Sequence, residues 1–72
     1  MQVQKLAVVA GVSPQTVLLY SRIGLLRPQW DPDTGDQVFP RREAVRLRLI
    51  CRAKKRGWSL VDIERRLSVL DP

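Results

Sequence analysis

Apolar residues recur at helical spacing in four stretches of the chain, and the residues between those stretches are the ones that stop and start helices. Leu6, Ala7 and Ala10 share a stripe that ends at Gly11, which predicts a short helix over about 3–10. Ser13 before Pro14 has the order of an N-cap and a first helical position, and Val12 is spaced to staple onto Val17. A second helix over about 14–23 follows, stopped by Gly24 with Leu25 as apolar cover. From Leu26 to Phe39 the periodicity breaks. Three Asp, two Pro and a Gly lie between short extended runs, which predicts a hairpin or loop.

A third helix over about 41–56 presents Ala44, Leu47, Ile50 and Cys51 on one stripe and is closed by Gly57. Trp58-Ser59-Leu60-Val61-Asp62-Ile63 then repeats the earlier device, with Ser59 as N-cap, Asp62 at N3 and Trp58 stapling toward Ile63. The fourth helix, about 60–69, buries Leu60, Ile63 and Leu67, with Leu70 next on that stripe. No internal repeat or low-complexity linker divides the chain. Residues 1–72 therefore read as one mainly α domain.

Composition narrows the chemistry. The chain has 72 residues, 44% hydrophobic and 28% charged, which is a globular balance. A single core of this size rarely supplies more than about 3–5 kcal/mol of net stability without a staple. With one cysteine and no histidine, neither a disulfide nor a standard zinc site can be assembled, and histidine acid–base chemistry is excluded. An enzyme, a metal or a cofactor is not expected. The longest uncharged stretch, Leu6 to Ser21, is broken by Gly11, Ser13, Pro14, Gln15 and Thr16, and no N-terminal segment has signal-peptide order. The expectation is a cytoplasmic protein with no membrane partner.

The net charge of +6 is unevenly placed. Within residues 1–40, Lys5, Arg22 and Arg27 balance Asp31, Asp33 and Asp36, whereas residues 41–56 hold eight Arg/Lys against Glu43 alone. Such a block either meets a phosphate backbone or solvates a helix face. Its cations cannot all lie on one face, so about half of them serve only as solvent-facing charge.

Two short helices joined by a three-residue turn containing glycine have the form of a helix-turn-helix. Ala7 is small enough for a close crossing, Gly11 takes the turn and Val17 fills the crevice. A hairpin and two further helices after that unit describe a winged helix-turn-helix.

Val12-Ser13-Pro14-Gln15-Thr16-Val17 into Tyr20, then Ile23-Gly24-Leu25-Leu26-Arg27-Pro28, Leu47, Ile50, Gly57-Trp58-Ser59-Leu60 and Ile63 carry a resemblance. Together they resemble the N-terminal DNA-binding domain of MerR-type transcriptional regulators, closest to the branch that includes heat-shock repressors. The resemblance implies a second helix in the major groove of double-stranded DNA, a hairpin wing on the adjacent backbone, and the turn between the third and fourth helices as a second wing. By position, Ser13, Gln15, Thr16 and Tyr20 would face the groove or its phosphates, Gln37 would occupy the first wing, and Arg22 and Arg27 are further candidates for DNA contact. Arg56, Trp58 and Ser59 would lie on phosphate in the second wing. Phosphate contacts position a protein, and base edges specify sequence; Gln15 is the residue suited to pair with adenine.

The chain also departs from the family pattern. Where the family's second helix usually reads Thr-x-Arg-Tyr-Tyr-Glu, this chain has Thr16-Val17-Leu18-Leu19-Tyr20-Ser21, and where the wing often has Gly-Tyr-Arg it has Gly35-Asp36-Gln37. An arginine is missing from each element, which lowers salt-dependent affinity. The sequence ends at Leu70-Asp71-Pro72, before the long dimerisation helix and effector domain of typical members. The expectation is a regulator without its own effector domain, self-associating on DNA. Two alternatives stand beside it: a protein-interaction module that modulates or assembles a J-domain chaperone system, and a phage-type recombination directionality factor.

Several of these residues also have ordinary structural readings. Ser13 and Pro14 are accounted for by capping, Trp58 by stapling into the core, and Cys51 by burial as a small hydrophobe. Tyr20 is either core with its hydroxyl at the surface or a phosphate contact. Gln15 and Thr16 are either plain surface or readers. Leu18 and Leu19 cannot both face the core, so one is expected to be exposed, toward a protein or an apolar base contact. Trp30 is packed under the hairpin or exposed.

Overall fold

In the computed structural model, which describes residues 1–70, the chain runs α1 (Val3–Ala10), α2 (Pro14–Arg22), β1 (Gln29–Trp30), β2 (Gln37–Val38), α3 (Arg41–Lys55) and α4 (Leu60–Leu70). The elements are those expected from the periodicity, with helix ends differing by a residue where caps take over. The side chain of Leu70, and Asp71 and Pro72, lie outside the described residues.

Each boundary has a local cause. Gly11, at φ 72°, adopts the left-handed conformation that lets its N–H bond back to the carbonyls of Ala7 and Val8, and Val12 N–H reaches Ala7 as well at 3.0 Å. Ser13 is extended and its Oγ accepts from Thr16 N–H at 3.2 Å, so α2 starts one residue later with Pro14 in its first turn. α2 ends in a Schellman pair, Leu25 N–H on the Tyr20 carbonyl at 2.8 Å and Gly24 N–H on Ser21 at 3.3 Å. The same pair closes α3, from Trp58 to Ala53 and from Gly57 to Lys54, each at 3.0 Å.

The hairpin is antiparallel, with Gln29 opposite Val38 and Trp30 opposite Gln37. Its tip is built from the acidic residues that broke the periodicity. Asp31 Oδ1 accepts from Asp33 N–H at 2.9 Å, the Asp31 carbonyl accepts from Gly35 N–H at 2.8 Å, and Asp31 N–H donates to the Asp36 carbonyl at 2.9 Å. At its base, Phe39 N–H donates to the Met1 carbonyl and the Met1 amino group donates to the Phe39 carbonyl, both at 2.6 Å. The chain start and the hairpin are thereby tied together.

One cluster of buried side chains links every helix: Leu6 and Ala7 of α1, Val17 and Tyr20 of α2, Leu25, Leu26 and Phe39 flanking the hairpin, Ala44, Leu47 and Ile50 of α3, and Ile63 and Leu67 of α4. Val12 and Trp58 pack against it from the turns, as stapling requires, and Leu60 does so from the start of α4. Two expectations need correction. Leu18 and Leu19 are both exposed, not one of them, because Val17 and Tyr20 alone take the inward face of a nine-residue helix. Cys51 is half-buried at the edge of its stripe.

Glu43 is the buried polar residue among the described ones, 3% exposed. Its Oε1 accepts the Arg27 N–H at 2.5 Å, while Arg46 Nε donates to the Leu25 carbonyl at 2.5 Å. Two α3 side chains of opposite charge thus hold the backbone of the segment leading from α2 into the hairpin. This fixes where the hairpin leaves the helix pair.

Candidate nucleic-acid interface

The inward direction of α2 is set by Val17 and Tyr20, so its outward face carries Gln15, Leu18, Leu19 and Arg22, all exposed. Ser13 is exposed at the N-cap and Thr16 is half-buried behind it. The Ser13 and Thr16 hydroxyls lie 2.9 Å apart in a mutual hydrogen bond, so both serve the cap as well as facing solvent. Tyr20 points into the core. Burial pushes its hydroxyl above the ordinary value of 10.0, and the neighbouring Cys51 adds to the shift.

The hairpin stands beside this face. A groove of about 490 Å³ runs among Pro14 and Leu18 of α2, the start of α1, and Trp30, Asp36 and Gln37 of the hairpin. A second, of about 320 Å³, is lined by Leu18, Ser21, Arg22, Pro28 and Gln37. Leu18 and Gln37 therefore line both grooves. Trp30 is 66% exposed on the hairpin, which decides between the two readings of that residue. Gln37 is half-buried, and Arg27 is exposed while its backbone is held by Glu43.

The turn between α3 and α4 gathers the other expected residues. Arg56 and Ser59 are exposed and Trp58 is half-buried. Ser59 Oγ donates to Asp62 Oδ2 at 2.9 Å and accepts from Asp62 N–H at 3.2 Å, so its proton is engaged within the cap. The Arg66 guanidinium lies 4.7 Å from the centre of the Trp58 ring, a cation–π pair absent from the sequence reading. Trp58 is thus committed to packing, and Arg56 is the member of this turn with a charge directed at solvent.

Along α3 the basic residues Arg41, Arg42, Arg48, Arg52, Lys54 and Lys55 are exposed, as is Arg56 at its C-cap, while Glu43, Ala44, Leu47 and Ile50 are buried. Glu43 and Arg46 were missed as structural anchors. The signal was available for Glu43, because its spacing of four and seven residues to Leu47 and Ile50 places it on the buried stripe. Among the described residues, no helix is long and apolar enough to cross a membrane.

Comparison with known proteins bears on the whole arrangement. Residues 1–70 match the family described as MerR HTH family regulatory protein. The chain is also similar to the mercuric resistance operon regulatory protein of Bacillus cereus, 29% identical over 70 residues that cover 97% of this chain. It spans 53% of that protein's length. With its helix-turn-helix, hairpin wing and following helix pair, the chain belongs to the MerR-type family of helix-turn-helix regulators.

Proposed function

We propose that the chain binds double-stranded DNA as the reading unit of a transcriptional regulator. α2 enters the major groove with Ser13, Gln15 and Thr16 leading, and the hairpin with Gln37 follows the neighbouring backbone. Arg22, Arg27 and Arg56 neutralise phosphates. The observation that carries this reading is the shared groove in which the outward face of α2 meets the hairpin, with Arg22 and Gln37 on its walls. Phosphate is best met by exposed cations, and those three are exposed in the elements concerned. In this role residues 1–72 act as one DNA-binding domain, non-enzymatic and cytoplasmic, with self-association on DNA adding affinity.

The test is fluorescence anisotropy on random-sequence duplex DNA across a salt titration. Three cations on phosphate give a log–log slope of about −3. An absence of binding at low salt rejects the proposal and favours the second reading, a protein-interaction module of a J-domain chaperone system. The apolar exposure of Leu18 and Leu19 on α2 and of Ile23 at its C-cap is the feature that favours that alternative.

A further inference from the structure

The outward face of α2 carries an apolar side chain where a DNA-reading helix ordinarily carries donors. Gln15, Leu18 and Arg22 are spaced by three and four residues and share one line of the helix. Leu18 is 43% exposed, and it is the α2 side chain that lines both grooves together with Gln37. Leu19 is exposed to the same degree, 46%, yet lines neither groove. Leu18 is thus flanked by a polar reader on one side and a cation on the other, at the junction of helix and hairpin.

A leucine at that place has no donor or acceptor for a base edge or a phosphate. Among the groups that base pairs present in the major groove, the apolar one is the 5-methyl of thymine. Resting on the DNA-binding reading above, we infer that Leu18 reads a thymine methyl, making it a specificity-determining residue. The flanking chemistry fits: Gln15 pairs with an adenine edge, and Arg22 holds the adjacent phosphate, so the line favours an A/T-containing step. Burying one methyl group against Leu18 strengthens binding about fourfold.

The test takes a duplex selected from a randomised pool by the wild-type protein and compares it with the same duplex carrying uracil at each thymine in turn, which deletes only the methyl. Wild type loses about fourfold in affinity at one thymine. Leu18→Ala binds the thymine and uracil duplexes equally, Leu18→Met keeps the discrimination, and Leu19→Ala keeps it too. The comparison across variants cancels any effect of uracil on the duplex itself. Equal wild-type binding of both duplexes, discrimination surviving in Leu18→Ala, or its loss in Leu19→Ala alone overturns the inference while leaving DNA binding intact. Failure to select any duplex overturns both.

Discussion

Replacing Glu43 with alanine tests how the hairpin is held to the helices. The carboxylate is 3% exposed and accepts the Arg27 N–H at 2.5 Å, while its other oxygen lies 4.0 Å from the guanidinium of Arg42, whose side chain is 68% exposed. That exposed pair contributes little after solvent screening. The hydrogen bond to a buried charged group contributes about 1.5–3 kcal/mol, and alanine leaves the Arg27 N–H without its acceptor. The expected loss is about 2–3 kcal/mol, about two-fifths or more of the roughly 3–5 kcal/mol that a domain of this size rarely exceeds. With a urea slope of about 1 kcal/mol/M, the midpoint falls by about 2–3 M. Glu43→Gln keeps an acceptor oxygen in place and loses about 1 kcal/mol. Urea melts followed by circular dichroism give the order wild type, Gln, Ala. Equal midpoints for wild type and Glu43→Ala, or a Gln variant as weak as Ala, would show that the Glu43 acceptor does not hold the hairpin.

Other substitutions probe the caps, the groove and the core. Ser59→Ala removes the cap of α4 and costs about 1 kcal/mol in the same urea melts. Gln37→Arg restores a cation to the groove wall, raising affinity for duplex DNA at low salt and steepening the log–log salt slope by about 0.9. Tyr20 has a raised folded-state pKa, from burial first and Cys51 second, so the folded chain keeps the neutral phenol where the unfolded chain ionises. Its stabilisation is complete below pH 10.0 and is lost as pH rises through that value toward the folded one. Tyr20→Phe flattens this alkaline limb in melts taken between about pH 9 and about pH 11.

Periodicity and punctuation revealed the helices because each boundary is set by local chemistry. Ser13 with Pro14, Ser59 with Asp62, and the glycines after α1, α2 and α3 act within a few residues of themselves, and the structure repeats those bonds. The burial of Leu47 and Ile50 follows from their stripe for the same reason. Contacts between distant segments were not legible. Nothing local to Arg27 announces that its N–H meets Glu43, sixteen residues on, or that Arg46 reaches Leu25. That Leu18 and Leu19 are both exposed is not readable from α2 alone, because its inward direction depends on where α1 and α3 lie. The candidate site was legible as a list, whereas its division was not. α2 and the hairpin share grooves through Leu18 and Gln37, and in the second turn Trp58 and Ser59 spend their polar and aromatic capacity on Arg66 and Asp62.

The most direct test of the DNA-binding account is backbone amide NMR of the labelled chain titrated with duplex DNA. If α2 and the hairpin contact DNA, shifts concentrate at Gln15, Thr16, Leu18 and Arg22 of α2, at Gln37 of the hairpin, and at Arg56 before α4, fading as salt is raised. Shifts confined to the exposed Val8 and Val9 of α1, or no change across the titration, contradict that contact.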